Sequence, residues 1–180
     1  MMKKWIALYS HTGSEISVLW QFLKRRPDIV ISNKCPEDTD IDPDIKFVTT
    51  FVSNKPTIEE YHSFLQQDAI ITMHGWMRII PPEICEQYNI LNLHPGLFTK
   101  YPDLKGKDPQ RRAFNRDPKP ETVGCVMHRA IEEVDSGEVI MERELQNNFE
   151  TFEELDRELR ISALDMWIEL LQDKWLGGDI

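Results

Sequence analysis

Cations are scarce in this chain. It carries 21 Lys and Arg against 31 Asp and Glu, a formal net charge of −10 over 180 residues. Nucleic acid is held by neutralising its phosphates with Lys and Arg, and an anionic bilayer by polybasic segments. The charge balance therefore argues against both partners, and leaves open small anions, which need only a local basic pocket. Apolar runs of membrane-spanning length, about 20 residues, are also missing. Residues Met1-Met2-Lys3-Lys4 and then Trp5 to Tyr9 are basic and then apolar, but polar Ser10-His11-Thr12-Gly13-Ser14 follows too soon for a signal peptide. Cysteine is sparse. Cys35, Cys85 and Cys125 are odd in number, far apart and without Cys-x-x-Cys spacing, which predicts reduced thiols and a cytoplasmic protein, not a disulfide framework or a zinc site. Internal repeats and low-complexity runs are absent. The length suits one domain over residues 1–180 with a sizeable core.

Apolar periodicity gives the order of elements. Trp5 to Tyr9 reads as a buried strand, and Ile16, Leu19, Trp20 and Leu23 recur at helical spacing after it. Asp28 to Ser32 is a second strand, Lys34 to Asp44 a loop and Phe47 to Val52 a third strand. Pro56 opens a helix to about Leu65, with Thr57 and Glu59-Glu60 in its first turn. Ala69 to Met73 is a fourth strand, and Pro82 or Glu83 begins a short helix to Tyr88. Leu97 to Lys107 is a loop and Gln110 to Asn115 a helix. Thr122 to His128 is a strand in which Gly124 marks a close backbone approach, and Val139 to Leu145 returns antiparallel. Thr151 through Trp175 is a long helix with a Thr151–Glu154 capping box, an apolar face that includes Phe152, Leu155, Leu159, Ile161-Ser162-Ala163, Met166, Ile168 and Leu170, and a stop at Gly177-Gly178. Alternating strands and helices predict an α/β fold with a doubly wound, mostly parallel sheet and one antiparallel strand near the C-terminal end.

One stretch carries chemistry. In Asn92-Leu93-His94-Pro95-Gly96, Asn92 and His94 are two apart, so on a strand both leave one face. Pro95-Gly96 ends the strand, placing an amide and an imidazole at its carboxyl end, where open α/β sheets bind ligands. Asp135 follows in the turn Val134-Asp135-Ser136-Gly137. Together Asn92, His94 and Asp135 can stabilise an oxyanion and manage a proton, with Asp135 raising the His94 pKa. Singly, each is as readily a strand-end or turn residue. His128 reads as structural, since Asp135 lies across a loop. Ser10 to Ser14 is either an anion cradle at a helix N-terminus or an ordinary strand-to-helix turn. The apolar segment Trp76-Met77-Arg78-Ile79-Ile80 suits core packing or a flat heterocycle. Lys100, Lys105, Lys107, Arg111 and Arg112 are a solvated face or a contact for an anionic tail. No cluster has metal-ligand spacing.

Asn92-Leu93-His94-Pro95-Gly96, Gly75-Trp76-Met77-Arg78-Ile79-Ile80 and Val134-Asp135-Ser136-Gly137, in this order, resemble the folate-dependent N-formyltransferases, and most of all the branch that formylates glycinamide ribonucleotide. The resemblance spans roughly residues 3–145. It implies a Rossmann-like fold and 10-formyltetrahydrofolate as formyl donor, with no metal. It also implies small-molecule partners, a monomer or homodimer, and catalytic Asn92, His94 and Asp135. A pterin cleft is implied at Met77, Arg78, Ile79, Ile80, Ile90, Ile131 and Glu132. Substrate binding is implied at His11, Thr12, Gly13, Ser14 and Arg160, the phosphate lying on the turn. The chain departs from that branch at Glu15, where Asn is usual, and at Ala163, where a substrate-contacting Glu is usual. Gly106-Lys107-Asp108-Pro109 resembles sugar and transfer-RNA formyltransferases instead. An amino sugar on a nucleotide, or another modified nucleotide amine, is therefore the alternative acceptor, and a non-catalytic folate- or nucleotide-binding module the alternative function.

Overall fold

The computed structural model describes residues 3–175. The helix stop expected at Gly177-Gly178 lies outside them. Strand β1 (Trp5–Tyr9) is buried along its whole length, each residue at 0 % exposure. Its side chains alternate between two cores. Trp5, Ala7 and Tyr9 pack on one face of the sheet, Ile6 and Leu8 on the other. A strand covered on both faces has no polar side to show, and this is why it reads as a continuous apolar run.

Helix α1 (Ser14–Leu23), β2 (Ile29–Ser32), α2 (Pro43–Lys46) and β3 (Thr49–Phe51) follow. The third strand is shorter than its β-rich run. Asp42 caps α2 by accepting from the Asp44 and Ile45 amides, Pro43 starts it, and Phe47 closes it at 92 % exposure, so pairing begins only at Thr49. Helix α3 (Ile58–Phe64) begins on a Thr57–Glu60 capping box. Then come β4 (Ile70–His74), α4 (Pro82–Gln87), β5 (Ile90–His94), a 3-10 turn at Pro102–Leu104, α5 (Pro109–Asn115), β6 (Thr122–Arg129), β7 (Val139–Gln146) and α6 (Phe152–Trp175).

The seven strands lie in the order β3-β2-β1-β4-β5-β6-β7. Pairs from β3 through β5 are parallel; β6 is antiparallel to both β5 and β7. The single reversed strand is therefore β6, and β7, which returns from it, runs with the rest. The chain winds outward from β1 to β3, then crosses back to place β4 on the other side of β1. That reversal opens a crevice at the carboxyl ends of β1, β4 and β5.

Helix α6 closes the β1 face through Leu155, Leu159, Met166, Trp167 and Leu170. The Thr151–Glu154 capping box forms reciprocally, with Glu154 N–H on Thr151 Oγ1 at 3.2 Å and Thr151 N–H on Glu154 Oε2 at 3.3 Å. Ile161 departs from the expected apolar face, at 47 % exposure. At 3.6 residues per turn it points away from Leu159 and Ala163, which hold the core side. Gly124 is the expected close approach: a Cβ there would lie 2.0 Å from the Arg143 carbonyl oxygen of β7. All three cysteines are free; burial pushes the Cys125 thiol up to about 12.

Candidate active site

Asn92 and His94 leave the same face of β5 and meet one carboxylate. Asp135 Oδ2 lies 3.1 Å from His94 Nδ1 and accepts the Gly106 amide at 2.8 Å. Asp135 Oδ1 lies 3.2 Å from His128 Nε2 and accepts from Asn92 Nδ2 at 3.5 Å. Asp135 sits in the left-handed region at φ 52, a conformation Asp and Asn tolerate better than most residues. Gly137 lets that turn press on β6, because a Cβ there would stand 1.8 Å from the Arg129 carbonyl oxygen.

His128 belongs to this group, contrary to its reading as a structural residue. Asn92 and His128 are cross-strand partners in the β5–β6 register, and Asn92 Nδ2 is 3.2 Å from His128 Nε2. The loop from β6 to Asp135 folds straight back over its own strand. The antiparallel β5–β6 pairing, laid out residue by residue, carries the signal.

Each imidazole is held between Asp135 and a backbone carbonyl. His94 Nε2 donates to Leu104 O at 2.7 Å, and His128 Nδ1 lies 2.9 Å from Arg129 O. Burial lowers the His94 pKa from its ordinary value; the Asp135 charge and the Leu104 carbonyl raise it without overcoming burial. The expectation that the Asp135 charge raises the His94 pKa holds for that influence, which burial outweighs. For Asp135 itself burial acts upward. The hydrogen bond from His128, the His94 charge and the Gly106 N–H together outweigh it and hold the carboxyl below its usual range.

Asn92, His128 and Asp135 line a cleft of about 350 Å³. His94 lies behind Asp135 and against Phe98, with ring centroids 5.6 Å apart. The remaining wall is mostly apolar: Trp76, Met77, Ile79, Ile80, Ile131 and Val134. Met77, Ile79, Ile131 and Val134 are exposed there, an apolar rim that a flat heterocycle would cover. Met77, Arg78, Ile79, Ile80 and Ile131 thus all stand at the cleft. Ile90 does not. It leaves the same face as Asn92 but two residues deeper, at the start of β5, where it is 1 % exposed and packed in the core beneath. Glu132 is exposed and is not part of the wall. The Arg78 guanidinium turns to Asn54, bonding its backbone and side-chain oxygens.

A second cavity of about 320 Å³ adjoins the cleft, sharing Met73, Gly75 and Leu93. His11 and Arg160 line it; Thr12, Gly13 and Ser14 stand outside its wall. Thr12 Oγ1 already accepts the Ser14 amide at 3.2 Å, so the turn spends a donor on itself. Arg160 pairs with Asp156 at 2.8 Å. Glu15 also lines this cavity, with Oε1 2.5 Å from Nδ1 of buried His74. The cations after β5 are largely engaged by protein groups. Lys105 donates to Ser136 Oγ at 2.6 Å, Lys100 to Glu144 at 3.1 Å, and Arg112 to the carbonyls of residues 103, 104, 105 and 107. The Arg111 guanidinium lies 4.0 Å from the centre of the Phe152 ring.

The profile of the formyl transferases matches residues 29–168. The phosphoribosylglycinamide formyltransferase of Dictyostelium discoideum is 34 % identical over 130 residues, covering 65 % of this chain and 60 % of that protein. The methionyl-tRNA formyltransferase of Thermotoga neapolitana is 29 % identical over 132 residues, covering 72 % of this chain and 40 % of its own. The matched part thus spans 60 % and 40 % of these two relatives' lengths. The crystal structure of phosphoribosylglycinamide formyltransferase from Campylobacter jejuni superimposes with a TM-score of 0.80 at 21 % identity, over 96 % of this chain and 97 % of that one, and shares its fold.

Proposed function

This chain belongs to the formyl transferase family, and from that premise we propose that it moves a formyl group from 10-formyltetrahydrofolate to a primary amine, glycinamide ribonucleotide being the acceptor best supported. The observation that carries the reading is the Asp135 carboxylate, gathered by Asn92, His94, His128 and the Gly106 amide at the edge of an apolar cleft. The cleft suits the pterin: the apolar side chains on its walls give a stacking surface.

When bound, the formylfolate supplies an electrophilic carbon and an oxygen on which negative charge develops. Asn92, which lines the cleft, donates to that oxygen through Nδ2. One such donor in a water-poor site typically lowers the barrier by about 3–4 kcal/mol. Asp135 accepts the proton that the attacking amine must lose and returns it to the folate nitrogen as the bond from that nitrogen to the formyl carbon breaks. His94 and His128 hold the carboxylate from both sides and share its proton, and His94 thereby acts from behind the cleft. The net charge of −10 supports a small acceptor over a transfer RNA. A nucleotide-linked amino sugar is the second reading, favoured by Glu15 at the start of α1, where a phosphate would meet a carboxylate.

The test is release of tetrahydrofolate by the purified chain from 10-formyltetrahydrofolate against glycinamide ribonucleotide, a nucleotide-linked amino sugar and an amine-free control. Turnover that requires glycinamide ribonucleotide supports the first acceptor, and turnover only with the sugar supports the second. Folate binding without formyl release to any amine would overturn the enzymatic reading.

A further inference from the structure

Glu15 is an anion built into a turn that resembles an anion site. Its carboxylate is held in place. Oε1 lies 2.5 Å from His74 Nδ1, and the His74 side chain is almost wholly buried. His74 Nε2 contacts Thr72 Oγ1 at 2.8 Å, and Thr72 Oγ1 accepts the Trp5 indole N–H at 2.8 Å. The Trp167 ring stands 4.8 Å from the imidazole. A buried polar chain is costly unless every member is satisfied. This one is, and it ends on a single carboxylate at the wall of the second cavity.

That carboxylate has capacity to spare. Ionised, it offers two oxygens and about four acceptor sites. Oε1 faces His74, and Oε2 has no hydrogen-bond partner among the described residues. The side chain remains 34 % exposed, in a cavity that borders the cleft at Met73, Gly75 and Leu93. The surroundings disfavour a phosphate. The helix N-terminus already faces the Glu15 charge within its first turn, and the Ser14 amide is taken by Thr12.

We propose that Glu15, fixed by His74, is the group that reads hydrogen-bond donors of the acceptor, hydroxyls or an ammonium, and that the start of α1 takes no phosphate. An anionic group of the acceptor is then left to Arg160 at the far wall of the same cavity. This rests on the proposed function and takes the second cavity, lined by His11 and Arg160, as the acceptor site.

Two measurements on the full chain test it. In formyl transfer to glycinamide ribonucleotide, Glu15→Gln raises the acceptor KM by about tenfold or more, while the KM for 10-formyltetrahydrofolate moves less than twofold. An unchanged or lowered acceptor KM overturns the proposal, since a carboxylate that merely repels phosphate improves binding when neutralised. In calorimetric titration without formylfolate, ribose 5-phosphate binds wild type more tightly than inorganic phosphate, and Glu15→Gln removes that preference. A preference that survives the substitution, or is absent in wild type, overturns it. The second measurement needs no turnover. A chain inactive with every amine but showing a Glu15-dependent preference for the sugar loses the enzymatic reading alone. An active chain whose acceptor KM ignores Glu15 loses only this one. His74→Asn, which frees the carboxylate, raises the acceptor KM as well, and the double variant is less than additive; full additivity contradicts the coupling.

Discussion

Asp135→Asn separates chemistry from architecture at this site. Asn is well tolerated at the φ of 52 that the turn requires, so the backbone has no cause to move. The carboxylate it replaces accepts the Gly106 amide on Oδ2, with His94 Nδ1 at 3.1 Å, and Asn92 Nδ2 on Oδ1, with His128 Nε2 at 3.2 Å. The new side chain keeps one oxygen and gains an NH2. With the oxygen in place of Oδ2, the Gly106 amide keeps its acceptor and His94 keeps its bond to Leu104 O. The NH2 then faces His128 Nε2, which can accept if the ring proton sits on Nδ1 and donates to Arg129 O at 2.9 Å. Asn92 completes the exchange by turning its amide over, so the substitution displaces the Asn92 donor along with the carboxylate, while in stability only the charge-assisted share of the bonds is lost.

That share amounts to about 1–2 kcal/mol. For a chain of this size it corresponds to a fall in Tm of about 2–8 °C. Loss of the proton acceptor is a different scale of effect, typically about 10²–10⁴ in rate. The assay pairs thermal unfolding with initial rates of tetrahydrofolate release at saturating formylfolate and acceptor. The expected variant is folded, only modestly less stable, binds folate and is slower by at least about a hundredfold. Turnover within tenfold of wild type would show the carboxylate to be scaffolding. A collapse in stability would show that the exchange of partners worked out above is wrong.

Further outcomes follow from the same geometry. Asn92→Ala lowers kcat by about 10²–10³, the cost of one oxyanion donor, with little loss of folate affinity by fluorescence titration; an equal loss of binding would make Asn92 a folate contact instead. His94→Ala cuts turnover by orders of magnitude although His94 stands behind the cleft, because it holds Asp135; near-normal turnover would remove it from the mechanism. Gly137→Ala puts a Cβ 1.8 Å from the Arg129 carbonyl oxygen, so the Asp135 turn shifts and stability falls by about 2–4 kcal/mol in urea titration; a neutral effect would refute the close approach. Stability also falls with acid in two stages. The His94 pKa is lowered in the folded chain, so below about 6.5 the unfolded chain takes up that proton first. The Asp135 pKa is also lowered, so its contribution is complete above about 3.9 and disappears as pH falls through the folded value. His94→Gln should flatten the upper stage, and an unchanged slope between pH 7 and 5 would contradict the assignment.

The parallel half of the sheet was legible because double burial leaves no choice of residue type. Trp5 to Tyr9 could only be an interior strand, and the alternation of such runs with helical spacing gave the winding. What local pattern could not give was the turn of the chain between elements. Asp42 diverted Pro43–Lys46 into a short helix, and Ile161 was drawn into an apolar face by composition when its helical position faced water. At the site, Asn92 and His94 were legible from a spacing of two, whereas His128 was not, because its partners come from strand register. Ile90 shows the converse limit: an apolar residue next to a functional strand end is indistinguishable, by type, from one that lines a cleft. Glu15 was visible as a misfit, but its partner was not, since nothing in sequence ties position 15 to position 74.

The two cavities share a lip at Met73, Gly75 and Leu93, and that shared edge constrains where donor and acceptor can meet. On the proposed function, a formyl carbon held in the apolar cleft faces Asn92 and Asp135, and the amine comes from the neighbouring cavity. At that lip Gly75 sits at φ 70, and a Cβ there would lie 2.8 Å from the His11 ring. The chemistry on one side of the lip is made of residues that the family motifs anticipate. The other side holds the departures, Glu15 and Ala163. Changes of acceptor can therefore accumulate around α1 and α6 without touching the Asp135 cluster. This division predicts that substitutions at Glu15 or Ala163 redistribute acceptor preference while the donor KM stays put; a parallel shift in both constants would mean that the two cavities are one site.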